Sequence, residues 1–238
     1  MSEFKPETTV AELAVRHPGL LKILTSSGLY REGEPADATL DGLCAAFGLH
    51  SGIIIRMLDS AAAKLLPAAP PVDAAPFQAM PLGGLVEHIE QAHHAFLRQA
   101  LPPLVELAEG LAAARADDSR LAELRDEVRE LADELNAHLA HEEEALFPMI
   151  RDLAAGGAVQ PTRCGSAVGG PIACMENEHA RTAVALNRIR ELTDDYRVAS
   201  DAESGWRELV NGLAAVEQDL VEHIYKEDEV LFPRALGA

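Results

Sequence analysis

Aromatic residues, cysteines and cations are all scarce in this chain of 238 residues. Aromatics make up only 4 % of the sequence, β-branched runs are few and alanine is plentiful. Strands draw on aromatic and β-branched side chains, so this composition points to an all-helical protein. The three cysteines, Cys44, Cys164 and Cys174, form no C-x-x-C pair. An odd, scattered set argues against a disulfide framework and against a thiolate zinc site. Buried thiols are expected at Cys44 and Cys174, and an exposed one at Cys164, which lies in a glycine-rich loop. Lysine and arginine number 20 against 39 aspartates and glutamates, a formal charge of −19. A nucleic-acid surface needs clustered cations to meet phosphate, so no nucleic-acid partner is expected. No apolar run approaches the ~18 uncharged residues of a membrane span, so no membrane is expected either. The opening MSEFKPETT has neither the basic start nor the apolar core of a signal peptide, and cytoplasmic residence is the expectation.

What is present is enough apolar material for a core, 48 % of residues, and a clear seam. PAAPPVDAAP at 67–76 is too rich in proline to continue a helix. It suggests a division into a small helical N-terminal domain at 1–66, a Pro/Ala-rich linker at 67–79, and a bundle at 80–238. In the first part Thr9 and Glu12 have the form of a capping box, opening a helix that stops near His17-Pro18. GLLKILTSSGL suggests a second helix, and 39–66 one or two more. After the seam come four long helical patterns. The first, about 82–113, contains Pro102-Pro103, which must kink or interrupt it. The second, about 118–147, should stop where Pro148 follows Phe147. The third runs from near Pro171 to about Leu192. The fourth, about 202–232, has Pro233 behind it. Short turns between such helices give an up-down-up-down four-helix bundle.

Two segments of that bundle are nearly the same: HLAHEEEALFP from His138 and HIYKEDEVLFP from His223. Both read H-x-x-x-E with L-F-P at one offset, and they lie 85 residues apart. The same offset carries His94 onto His179, so four of the nine histidines obey one rule. Positions i and i+4 share a helix face, so His138 projects with Glu142 and His223 with Glu227. Each pair extends an apolar stripe, where a carboxylate is costly unless paired or metal-bound. Four imidazoles and two carboxylates gathered around a bundle axis suit a pair of divalent cations bridged by Glu142 and Glu227. Nitrogen and oxygen donors without thiolate fit two non-haem iron ions first, with manganese or zinc behind. A ferritin-like arrangement would instead use Glu90-x-x-His93 and Glu176-x-x-His179. It fails the repeat, because His93 maps onto Glu178 and Glu90 onto Met175.

Other polar residues divide less sharply. Glu134 and Asp219 share the offset, one turn before each H-x-x-x-E histidine. They are candidates to accept a ligand's free ring N–H, or are polar residues at the bundle edge. Glu178, beside His179, lines a polar path or faces water. His141 is expected at the rim and His88 facing solvent or behind the ligands. Glu143, Glu144, Asp228 and Glu229 are expected to be solvated charge, and His17 and His50 structural.

His94, HLAHEEEALFP, MENEHA and HIYKEDEVLFPRA together resemble the hemerythrin-like HHE cation-binding domain. The closest likeness is to its version in the repair of iron centres (RIC) proteins, di-iron proteins of iron–sulfur cluster repair. The resemblance covers about 80–238 and implies a non-haem di-iron centre held by His94, His138, Glu142, His179, His223 and Glu227. It further implies a role in oxidative or nitrosative stress. That role is repair of iron–sulfur centres by iron donation, or NO or peroxide chemistry at the site. A reversible O2- or NO-binding module without turnover is the alternative. The partners implied are O2, NO or peroxide and iron–sulfur proteins, with a homodimer left open. The segment TTVAELAVRHPGLLKILTSSGLYREGE resembles the small domain preceding the bundle in RIC proteins. There a Cys-Cys-Gly-Gly step ends the helix; here Arg31, Glu32 and Gly33 stand in that region, so no function of a thiol pair is implied.

Overall fold

The computed structural model describes residues 4–26, 28–31, 35–62, 74–157 and 168–237. Among them there is no strand, only an isolated antiparallel bridge between Thr9 and Thr39. The chain divides into two compact units, Met1–Pro70 and Pro71–Ala238.

The first unit holds four short helices: α1 Val10–Arg16, α2 Pro18–Ser26, α3 Leu40–Ala46 and α4 Ser51–Ala62. Thr9 caps α1 by accepting from Glu12 N (3.2 Å) while Glu12 Oε2 accepts from Thr9 N (2.9 Å), the reciprocal box the sequence spells. Thr39 caps α3 by the same side-chain bond, to Gly42 N at 3.1 Å. Phe4, Leu13, Leu20, Leu24, Leu40 and Leu58 fill the core of this unit. Cys44 is buried in α3; Cys174, expected to be buried, is half-exposed on the bundle, and Cys164 lies outside the described residues. The proline-rich stretch up to residue 73 also lies outside them, as do Glu32 and Gly33.

The second unit opens with α5, Ala75–Ala79, inside the stretch expected to be linker. Four long helical rods follow. The first is α6 Leu82–Ile89, a π-helical turn at Glu90–His94, then α7 Ala95–Ala114. The second is α8 Ser119–His141, a π-turn at Glu142–Leu146, then α9 Phe147–Ala154. The third, α10 Gly169–Leu192, is α-helical throughout. The fourth is α11 Ser204–Lys226, a π-turn at Glu227–Leu231, then α12 Phe232–Leu236. α7 packs on α8 and α11, and α8 on α10, which is the up-down-up-down order. Leu121, Leu124, Val128, Leu131 and Leu135 form the buried stripe of α8, and each such side chain contributes roughly 1.5–3 kcal/mol by leaving water. His138 is the next residue on that stripe, so the same periodicity that builds the core carries an imidazole into it.

Two expectations about proline fail for physical reasons. α7 passes unbroken through Pro102-Pro103. Both prolines are exposed, and the carbonyls they leave unpaired belong to Arg98 and Gln99, also exposed, where water can serve them. Pro148 and Pro233 do not end their rods either. Phe147 N–H bonds to Glu142 O, and Phe232 N–H to Glu227 O. This wider turn relieves the clash a proline ring makes with the carbonyl four residues back.

Beside the last turn of α10, Glu217 of α11 is buried beneath Arg190 and Tyr196. It accepts from Arg190 Nε (2.9 Å) and from Tyr196 Oη (2.5 Å). Burial, with the adjacent Glu217 carboxylate, pushes the Tyr196 phenol far above its ordinary range. A raised acid stabilises the fold fully below its unfolded pKa and loses that contribution as pH rises beyond it. Stability should therefore fall from about pH 10 upward, and Tyr196→Phe should flatten that decline. Urea melts of both proteins between pH 8 and 11 check this; parallel declines would contradict it.

Candidate metal centre

The six residues aligned by the 85-residue offset converge in the core. His94, Glu142, His223 and Glu227 form one buried group, and His138, Glu142, His179 and Glu227 a second, each with its donor atoms within 4.8 Å of one another. The two groups share both glutamates. All six side chains are buried, from 0 % to 5 % exposed, and rods one to four each contribute at least one.

The rods aim these groups by a common device. A π-turn begins at Glu142 and at Glu227, so the residue five positions on falls where an α-helix would put the fourth. His138, Glu142 and Phe147 thus share one inner face, as do His223, Glu227 and Phe232. Phe147 stacks on His94 at 5.5 Å and 17°, and Phe232 on His179 at 6.1 Å and 3°. The L-F-P motif is therefore a floor for the imidazoles rather than a stop signal. The π-turn at Glu90–His94 turns two adjacent side chains inward, and both His93 and His94 are buried. The third rod has no π-turn and presents His179 from a regular helix.

Three of the four imidazoles are held from behind by carboxylates. His94 Nδ1 donates to Glu143 (2.8 Å), His138 Nδ1 to Glu178 (3.0 Å), and His179 Nδ1 to Asp228 (2.9 Å). Arg98 holds Glu143 in turn through two bonds of 2.7 and 2.8 Å. With Nδ1 donating outward, Nε2 is the nitrogen turned toward the glutamates, and it offers a cation its lone pair once any proton there has left. His94 Nε2 lies 3.3 Å and His138 Nε2 3.4 Å from Glu142 Oε2, and His179 Nε2 lies 3.2 Å from Glu227 Oε2. Those carboxylate oxygens, and His94 and His179 Nε2, make no hydrogen bond. An imidazole nitrogen and a carboxylate oxygen held face to face in a buried site need a cation between them, either a proton or a metal ion. The donor set fits a metal.

The charge balance agrees. Burial disfavours every imidazolium here, but Glu142 and Glu143 raise the pKa of His94, and Glu142 and Glu178 that of His138. Against burial, Asp228 and Glu227 raise His179 well above the ordinary value. Glu227 is held low, burial notwithstanding, by His223 and His179. Burial lowers His223, which has no carboxylate behind it and whose Nδ1 makes no hydrogen bond.

Several sequence expectations need correction. Glu143 and Asp228, expected as solvated charge, are the acceptors behind His94 and His179. Their signal was available, for they too are 85 residues apart and each directly follows a repeated glutamate. Glu178, expected to line a polar path or face water, bonds to His138 from the third rod. Glu134 is half-buried and bonds to none of the histidines, while Asp219 bonds to His93 Nδ1 (2.9 Å) rather than to His223. His141 is exposed, as expected at the rim, and its Nδ1 lies 3.3 Å from Glu178. The buried Lys226 was missed altogether. Its ammonium donates to His88 Nε2 (3.0 Å), His93 Nε2 (2.8 Å) and Glu222 (2.7 Å).

The profile of the hemerythrin HHE cation binding domain matches residues 85–235. The chain is similar to the iron–sulfur cluster repair protein YtfE of Musicola paradisiaca (strain Ech703), 36 % identical over 76 % of this chain and 77 % of that one. It is 34 % identical to the YtfE protein of Dickeya chrysanthemi (strain Ech1591) over the same shares. The YtfE protein of Enterobacter sp. (strain 638) is 35 % identical over 66 % of this chain and 67 % of its own.

Removing a carboxylate behind a metal-binding imidazole typically weakens binding by about 10–100-fold. Asp228→Asn should lose metal affinity within that range, whereas Glu134→Gln should bind as the native chain does. Competition titrations against a chelator measure both; equal losses would contradict the assignment.

Proposed function

The chain belongs to the hemerythrin HHE cation-binding family, and on that footing we propose that it is a non-haem di-iron protein that repairs damaged iron–sulfur centres. The observation that carries this reading is the pair of four-residue groups sharing Glu142 and Glu227, with imidazole Nε2 atoms turned toward carboxylate oxygens. His94 and His223 would hold one iron, His138 and His179 the other, and the two glutamates would bridge them. The similarity to repair proteins over three quarters of the chain supports the functional half of the proposal.

When bound, the iron pair supplies ferrous ions for donation and redox chemistry toward NO or peroxide. The residues of the chain set the conditions. Glu143, Glu178 and Asp228 hold three imidazoles in the tautomer that presents Nε2 to a cation. Phe147 and Phe232 close the inner side with apolar surface and keep bulk water from the ligands. The targets are iron–sulfur proteins, and the small-molecule partners are NO and peroxide. A reversible O2- or NO-binding role would use the same site, favoured by the lack of a thiol pair after α2. No helix among the described residues is long and apolar enough to cross a membrane, and we place the protein in the cytoplasm. A homodimer is compatible with this reading.

Three results test it. Glu142→Ala removes a ligand common to both groups, so iron per chain should drop from two and recovery of a damaged iron–sulfur enzyme should cease. Full recovery with the metal-free variant would refute repair. Addition of NO to the reduced protein separates the alternative, since a reversible adduct without consumption would favour binding over turnover. In the metal-free chain His179 should retain its proton through neutral pH. That stabilising charge is fully present below the ordinary imidazole range and is lost as pH rises through the raised value. Metal must displace it, so loading at pH 7 should release protons and binding should tighten as pH rises. A dye-monitored titration with no proton release would contradict this.

A further inference from the structure

The duplicated halves of the bundle match in their ligands and in the phenylalanines beneath them, but differ behind one imidazole. An offset of 85 residues superimposes His94–Glu143 on His179–Asp228, and Phe147 on Phe232. It also superimposes His93 on Glu178, and Lys226 on His141. These two exchanges change both the chemistry and the geometry behind the imidazole. Glu178 accepts from His138 Nδ1 at 3.0 Å and lies 3.3 Å from His141. His93 faces the equivalent imidazole, His223, but stacks flat against it, with ring centroids 5.2 Å apart and 1° between planes. Its own nitrogens are committed elsewhere, Nδ1 to Asp219 and Nε2 to Lys226.

Donor counting shows that this arrangement is fixed. The three N–H groups of the Lys226 ammonium meet three acceptors: His88, His93 and Glu222. His93 Nε2 must then be an acceptor and Nδ1 the donor to Asp219. Neither nitrogen is left for His223, and a flat stack offers no acceptor in the plane of its ring. His223 Nε2 lies 3.0 Å from Glu227 and makes its one hydrogen bond there. If that nitrogen binds a metal, the ring proton must sit on Nδ1, a buried atom with no partner. A buried donor without an acceptor is costly, and the ring also lacks the carboxylate that would raise its basicity.

We propose that the two metal positions are unequal, and that His93, held by Asp219 and Lys226, makes the position of His94 and His223 the exchangeable one. The position of His138 and His179 has a carboxylate behind both imidazoles and retains its metal. His93 is thus a positioning residue acting through His223. This rests on the di-iron reading above and adds to it which ion is available for transfer and why.

The test follows ferrous ion leaving the fully loaded protein into excess ferrozine under anaerobic conditions. The native chain should release iron in two phases of one ion each, at least about tenfold apart in rate, the scale of one lost outer partner. Glu178→Gln removes the carboxylate behind His138, so it should accelerate the slow phase and leave the fast one unchanged. His93→Glu restores at the first half what the second half has, and should slow the fast phase toward the slow one. A residue that merely maintained the fold would shift both phases together. Release of both ions at one rate from the native chain would overturn the proposal, as would acceleration of the fast phase by Glu178→Gln. The Glu178→Gln result stands whether or not His93→Glu folds. A chain that loads fewer than two ions would overturn the di-iron reading itself, and this inference with it.

Discussion

Carboxylate oxygens held against imidazole nitrogens, in a core that water does not reach, are the constraint on which the rest of this molecule depends. Six polar side chains at the centre of a helical bundle cost more than the surrounding leucines can offset unless something neutralises them. A metal pair would do so, held by His94 and His223 on one side, His138 and His179 on the other, with Glu142 and Glu227 common to both groups. Metal binding and folding of this part of the bundle are therefore linked, as in other sites assembled from buried ligands. The outer carboxylates extend the same logic. They hold one ring proton on the far nitrogen and so leave the inner nitrogen as the one a metal can take.

The π-turns are the backbone's answer to that requirement. A regular helix offers an inward position every third or fourth residue, which accommodates His138 and Glu142 but not a stacking Phe147 five residues later. Widening one turn at each repeated glutamate brings the phenylalanine under the imidazole and makes room for the proline behind it. In the first rod a wider turn admits both His93 and His94, and without it only one of two neighbours would face inward. The rod that needs a single inward histidine, the third, needs no such turn.

The parts of this site that were legible in the sequence are those written within one helix or repeated at a fixed offset. The H-x-x-x-E pairs, the choice of His94 over its neighbour as the mate of His179, and the all-helical bundle came from periodicity and the 85-residue echo. Glu143 and Asp228 obey the same echo, yet they look like members of an acidic run. Their role depends on a histidine of another helix, and spacing along one chain segment does not reveal such a partner. His93 and Lys226 break the echo, and repeat arithmetic can only discard what it does not match. Their significance lies in three-dimensional neighbours: a stacked ring, an aspartate 126 residues away, and a buried ammonium with all three protons used. Pro102 and Pro148 were misread because the rule for proline in a helix assumes a regular backbone and no solvent on the outer face.

The division between the halves also bears on function. A repair protein that gives up iron and remains folded needs one ion that leaves and one that stays, and a duplicated bundle begins with two equal positions. Replacing a carboxylate by a histidine behind one ligand breaks that equality without altering the six ligands. The central claim is that these six residues hold two irons joined by Glu142 and Glu227. Mössbauer spectroscopy of the protein loaded with iron-57 tests it most directly. The account predicts two high-spin irons per chain whose oxidised form is a spin-coupled, diamagnetic pair. A single magnetically isolated ferric ion per chain, or none bound, would contradict it.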